Sequence, residues 1–99
     1  PMYPAAAKLG LTLVDLTEDQ KKEAKLKGGA TVEASSGAAA TAGLRVGDVI
    51  VAIANSEILG AKEAEGVLAR QDKNKPIPVQ IRRGARGDYV LIKPDLPQK

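Results

Sequence analysis

The chain is 99 residues long, with fifteen Lys and Arg against twelve Asp and Glu and a formal net charge of +3; this bounds it to one domain with a single aliphatic core and a weak, dispersed pull on anions. The absence of both cysteine and histidine excludes a disulfide framework, thiolate catalysis, a Ser-His-Asp relay and zinc sites of the ordinary type. Two Tyr with no Phe or Trp leave no aromatic platform for stacking bases, so nucleic acid is not an expected partner.

Residues 1–8 carry two prolines and the run Ala5-Ala6-Ala7 without periodicity, and read as a linker that enters the domain near Lys8. They lack the basic start and long apolar stretch of a signal peptide, and no run along the chain approaches bilayer length. The expectation is an excised soluble domain with no direct membrane insertion, any targeting signal or catalytic domain lying upstream. Leu11 to Leu16 is apolar on nearly both sides and reads as a strand covered on two faces. Thr17-Glu18-Asp19-Gln20 is a capping box that starts a helix running to about Leu26, where Lys27, Gly28 and Gly29 end it. Asp15, Glu18, Asp19 and Glu23 fall among lysines as solvated charges, which argues against paired-carboxylate catalysis.

Ala30 to Ala34 alternates, with Ala30, Val32 and Ala34 inward, and Ser35-Ser36-Gly37 turns into a short helix from Ala38 to Ala42. Gly43 supplies the left-handed residue after that helix, Leu44 packs back across it, and Val46-Gly47-Asp48 turns the chain into a strand from Val49 to Ala54. Asn55-Ser56 makes a corner, Ile58-Leu59 a brief strand, and Ala61, Ala64, Val67 and Leu68 one face of a helix over 61–71 with Gly66 in its interior. Ile77, Val79 and Ile81 alternate in a strand that Pro78 marks as an edge or a start. Gly84-Ala85-Arg86-Gly87 then turns into a last strand, Asp88 to Lys93, with Val90 and Ile92 opposite Tyr89 and Leu91. Arg86-Gly87-Asp88 spells an integrin-type tripeptide at the expected hairpin tip, where turn chemistry alone accounts for it. Residues 94–99 read as a tail. Neither Gly28-Gly29 nor Ser35-Ser36-Gly37 has the spacing of a phosphate-binding loop, so nucleotide binding is discarded.

The order strand, capped helix, strand, short helix, strand, long helix and closing hairpin resembles the PDZ domains of bacterial HtrA/DegP-type serine proteases. Ala42-Gly43-Leu44-Arg45-Val46-Gly47-Asp48-Val49-Ile50 carries the likeness, supported by Leu9-Gly10-Leu11 and Asp15-Leu16-Thr17, and it covers about Leu9 to Lys93. The resemblance implies a mainly β domain over 9–93, a sandwich or partial barrel of five to six mostly antiparallel strands capped by two to three helices. Its topology would be the circularly permuted bacterial one.

The family binds extended peptides, commonly free C-termini, between a strand edge and a helix. By resemblance Lys8, Leu9, Gly10 and Leu11 would form the carboxylate-binding loop. Thr12, Leu13 and Val14 would be the strand that pairs with peptide, and Ala61, Glu65 and Leu68 would lie on the groove helix. A carboxylate needs two or three convergent amides, and Gly10 would let the backbone approach the ligand. Charge-assisted amide bonds of roughly 1.5–3 kcal/mol each, offset by about 2–5 kcal/mol for ordering a flexible tail, give an expected affinity near micromolar or weaker. Glu65, if turned to the groove, would disfavour acidic peptide residues. Gly43, Gly47 and Asp48 read as structural.

The resulting expectation is a non-catalytic, peptide-binding module without cofactor or metal. Its partners would be peptide or unfolded-protein C-termini and the serine protease domain of the same parent chain, which would be periplasmic and homo-oligomeric. Two other roles stand beside it: an interdomain or oligomer-assembly contact with the groove occluded, and a PDZ domain of an intramembrane or C-terminal processing protease.

Overall fold

The computed structural model describes residues 3–94; Pro1, Met2 and the tail beyond Pro94 lie outside the described residues. In chain order the elements are α1 (Pro4–Lys8), β1 (Leu11–Asp15), α2 (Glu18–Ala24), β2 (Ala30–Ser35), α3 (Gly37–Ala42), β3 (Val49–Ile53), β4 (Ser56–Glu57), α4 (Ala61–Ala69), β5 (Ile77–Arg83) and β6 (Arg86–Ile92). The strands form one six-stranded antiparallel sheet in the order β1-β2-β3-β5-β6, with β4 hanging from β3. The mainly β architecture expected from the sequence is present. The number of helices exceeds the expectation by α1.

That helix replaces the expected linker. Pro4 sits at its start, where a missing amide costs nothing and φ is already helical, and Ala6 is fully buried. Tyr3 and Ala5 pack against the same core, so residues 3–8 belong to the fold.

The core is aliphatic and comes from both faces that the alternation marks. Leu11 and Leu13 of β1, Ala30 and Val32 of β2, Ile50 and Ile53 of β3, and Ile77, Val79 and Ile81 of β5 close on Ala61, Ala64, Val67 and Leu68 of α4. Strand β1 is covered on one face, because Thr12 is exposed and Val14 half-buried. The register between β1 and β2 shifts between Thr12 and Leu13, so that Thr12 faces Ala34 and Leu13 faces Val32. Glu33 is skipped as a bulge, which turns Ala34 out to solvent instead of inward. A second shift between Ile50 and Ala52 of β3 explains why its buried positions fall three apart, at Ile50 and Ile53.

Local chemistry fixes the helix ends. Thr17 and Gln20 form the capping box, at 2.8 and 3.1 Å, but α2 stops at Lys25, which is left-handed at φ 57°. Leu26 N–H then reaches the Lys21 carbonyl at 2.9 Å, and this wrap ends the helix before the glycines. Helix α3 ends as expected on left-handed Gly43, with Leu44 N–H donating to Ala39 O at 3.1 Å and its side chain buried.

The corner after β3 lies one residue earlier than the Asn55-Ser56 expectation. Ala54 and Asn55 are the two left-handed residues, at φ 49° and 70°, and Ile53 pairs with Ser56, the geometry of a two-residue hairpin. The brief strand is Ser56–Glu57; Ile58 is buried and Leu59 exposed. Strand β5 is internal, between β3 and β6, and accommodates Pro78 because the β3 ladder ends at Ile53 and Val79. At the last hairpin Arg83 pairs with Arg86 across Gly84-Ala85, so Arg86-Gly87-Asp88 lies within β6 and not at the tip.

Candidate functional site

The segment Lys8–Val14 runs from the end of α1 into β1, which is the last strand on its side of the sheet. Among the described residues no strand pairs with its outer edge. Helix α4 packs alongside, tied to the far end of β1 by Asp15: its Oδ1 accepts the Ala61 N–H at 2.8 Å, capping α4 in place of a side chain from Gly60.

The loop at the near end is held by its carbonyls. Leu9 O accepts from Ala39 N–H at 2.9 Å and Gly10 O from Ser36 N–H at 2.9 Å, so the start of α3 grips the loop from below. Gly10 is left-handed at φ 91°, and a Cβ there would overlap the Ser36 carbonyl oxygen. The glycine is therefore required by an approach within the chain, where the sequence suggested an approach by ligand.

The loop's amides are also engaged. Leu9 N–H donates to Ala6 O and Gly10 N–H to Ala7 O, each at 3.0 Å, so the last turn of α1 takes two of the donors expected for a carboxylate. The other end of α1 is bound to α4. Glu65 of α4 accepts from Ala5 N–H at 2.7 Å through Oε2 and from Ala6 N–H at 2.9 Å through Oε1. A carboxylate at a helix start satisfies amides that have no partner within the helix, and the pairing with α1 is what the sequence did not reveal about Glu65.

Beside α1 lies a cavity of about 430 Å³. Lys8, Leu9, Glu65 and Leu68 line it, bringing together four of the residues expected at the site, with Lys73 and Ile77 added from the turn after α4 and the start of β5. Gly10, Leu11, Thr12, Leu13, Val14 and Ala61 do not line it; Leu11, Leu13 and Ala61 are core residues. Nothing in the spacing of Lys73 or Ile77 marks them, because they reach the cavity only through the packing of α1 on α4.

The turn around Asp48 is a structural joint. Asp48 is 2% exposed; it takes Nε and Nη2 of Arg83 at 2.8 and 2.7 Å and the Arg45 amide at 2.9 Å, while Arg83 Nη2 also donates to Gly43 O at 2.8 Å. Burial pushes the Asp48 carboxyl up, but the Arg83 hydrogen bonds, the Arg45 amide and the charges of both arginines together hold it below its ordinary value. Among the described residues no group of three or more Asp and Glu is placed to hold a metal ion, and no helix is long and apolar enough to cross a membrane.

An open antiparallel sheet whose edge strand runs beside a helix, entered through an apolar-Gly-apolar loop, defines the class. The chain belongs to the PDZ domain family, whose model matches residues 31–83, and PDZ domains are non-catalytic modules. It is 38% identical over 87 residues to a probable periplasmic serine endoprotease DegP-like of Pseudomonas putida, covering 87% of this chain and 18% of the relative. A relative described in the same words from Halomonas elongata is 30% identical over 90 residues, covering 90% of this chain and 19% of its own length. The chain thus spans about a fifth of the curated relatives it matches.

Among solved structures, the HtrA-type protease AlgW with decapeptide is 25% identical with a TM-score of 0.72, covering 85% of this chain and 27% of that one. The HtrA3 PDZ domain bound to a phage-derived ligand matches with a TM-score of 0.71 at 19% identity, over 84% of this chain and 79% of that one, which supports the fold.

Proposed function

We propose that this PDZ domain takes up an extended peptide as an added strand on the outer edge of β1, with the free C-terminus at Lys8–Leu11 and a small or aliphatic last side chain against Leu9 and Leu68. The observation that carries the reading is the unpaired edge of β1 beside α4, since an open edge offers backbone donors and acceptors to any incoming strand. The adjoining cavity adds apolar walls from Leu9, Leu68 and Ile77, and its lining carries Lys8 and Lys73 together with Glu65 and Asp72. By extension from the DegP-like relatives, the domain serves substrate recognition or regulation of an attached serine protease in the bacterial periplasm. The AlgW structure with decapeptide supports a peptide as ligand.

The test is fluorescence polarisation with a labelled peptide ending in Val, compared with its C-terminal amide. A dissociation constant near micromolar that weakens at least about tenfold on amidation is expected. Equal binding of the two forms rejects the carboxylate loop. Absence of binding by either favours a second reading, an interdomain contact, to which the internal use of the Leu9 and Gly10 amides already lends weight.

A further inference from the structure

We infer that α1 is an internal latch on the carboxylate loop, closed by Glu65, and that peptide binding requires its last turn to open. The inference rests on the peptide-binding reading above. Each backbone amide carries one proton, and those of Leu9 and Gly10 are donated to Ala6 O and Ala7 O. A terminal carboxylate that used the same donors would compete directly with these two bonds. Ligand and last helical turn exclude one another.

The latch has a physical reason to be poised. Helix α1 is five residues long, far below the length at which an isolated helix persists in water, so its existence depends on tertiary ties. Those ties are the buried Ala6, the packing of Tyr3 and Ala5, and the Glu65 carboxylate on the amides of Ala5 and Ala6. Pro4 has no amide to offer, so Glu65 takes the next two donors of the first turn. Glu65 lies on the groove helix and lines the cavity with Lys8 and Lys73. The sequence feature behind the device is the direct succession of a Pro-Ala-Ala-Ala-Lys helix and the Leu-Gly-Leu loop, with no residue between Lys8 and Leu9 to decouple them.

Two variants test it without touching the loop. Glu65→Gln keeps the shape of the clasp but offers one amide oxygen where two carboxylate oxygens stood. Ala7→Pro, at an exposed position, removes the Ala7 N–H that donates to Tyr3 O at 2.9 Å and disfavours helix at Ala6; because it retains Glu65, it separates latch opening from loss of a negative charge. Amide hydrogen exchange of the free protein is read at Leu9 and Gly10, and affinity is read with the carboxyl-ended peptide. Exchange at both amides about tenfold faster in each variant is expected. Affinity should tighten by a comparable factor, because apparent affinity scales with the fraction of molecules already open.

Unchanged exchange and affinity in both variants overturn the latch while leaving carboxylate-dependent binding of the unaltered protein intact. The latch is equally overturned if, in the peptide-bound protein, NMR scalar couplings across hydrogen bonds still join the Leu9 and Gly10 amides to the Ala6 and Ala7 carbonyls. Faster exchange with no peptide bound by any form overturns the peptide-binding reading, and the regulatory role of α1 falls with it.

Discussion

Asp48 and Arg83 meet through two hydrogen bonds of 2.7 and 2.8 Å between one nearly sealed carboxylate and one guanidinium. The pair locks the Gly43–Asp48 turn onto the end of β5, and Arg83 extends the joint to the C-terminal carbonyl of α3 at Gly43. Replacing Asp48 by Asn leaves a polar contact without its charge. The expected loss is about 2–3 kcal/mol, below the roughly 3–5 kcal/mol of a fully buried pair, because the Arg83 side chain keeps 26% of its exposure. Urea denaturation of Asp48→Asn against the parent measures it.

The same pair sets an acid limit. Asp48 is held below its ordinary carboxyl value in the folded state, so its contribution is fully present above that value, about pH 4. It is lost as pH falls from there through the lower folded value. The stability gap between the parent and Asp48→Asn should therefore be constant from pH 5 to 7 and narrow below about pH 4. A gap that stays constant through the acid range contradicts the assignment.

Gly10 is where the sequence and structure give different experiments. Read as a ligand contact, a side chain at Gly10 would block binding and leave the fold alone. Its left-handed φ and the closeness of Ser36 O make Gly10→Ala a folding lesion, with strain and overlap together costing at least about 2 kcal/mol. Thermal melting should fall before any change in affinity is interpretable.

Asp15→Ala removes the acceptor for Ala61 N–H at the start of α4. A loss of about 1 kcal/mol is expected from the cap alone. Faster hydrogen exchange should appear at the first turn of α4 and not at its C-terminal end. Uniform acceleration along α4 would show that Asp15 holds the whole helix and not its start.

Thr31 Oγ1 is buried without a hydrogen-bond partner among the described residues. Thr31→Val keeps the shape and removes the stranded hydroxyl, so it should raise stability by about 1 kcal/mol. Chemical denaturation reads the sign directly, and a loss would mean that the hydroxyl has a partner in solution.

Much of this architecture is legible from pattern. The buried alternation of Ile77, Val79 and Ile81, the α4 face of Ala61, Ala64, Val67 and Leu68, the Thr17 box and the Gly43 stop all follow from local rules that tertiary packing leaves intact. Ala34 escapes because a bulge is a property of two strands, and β2 alone does not reveal that Glu33 lacks an opposite residue. The end of α2 escapes because Lys25 adopts a conformation that glycine usually supplies.

At the site, Lys8, Leu9, Glu65 and Leu68 are reached through family likeness and do meet around one cavity. What the sequence hides is α1. Five residues with a proline and three alanines carry no periodic signal, and the contacts that hold them helical come from distant parts of the chain, among them a glutamate about sixty positions later.

Helix α1 compresses the path between Tyr3 and Leu9. Five helical residues span about 7.5 Å, whereas the same five drawn out span about 16.5 Å, so unwinding lengthens the path by about 9 Å. Tension on the backbone at Tyr3 would thus favour the open form and slackness the wound one.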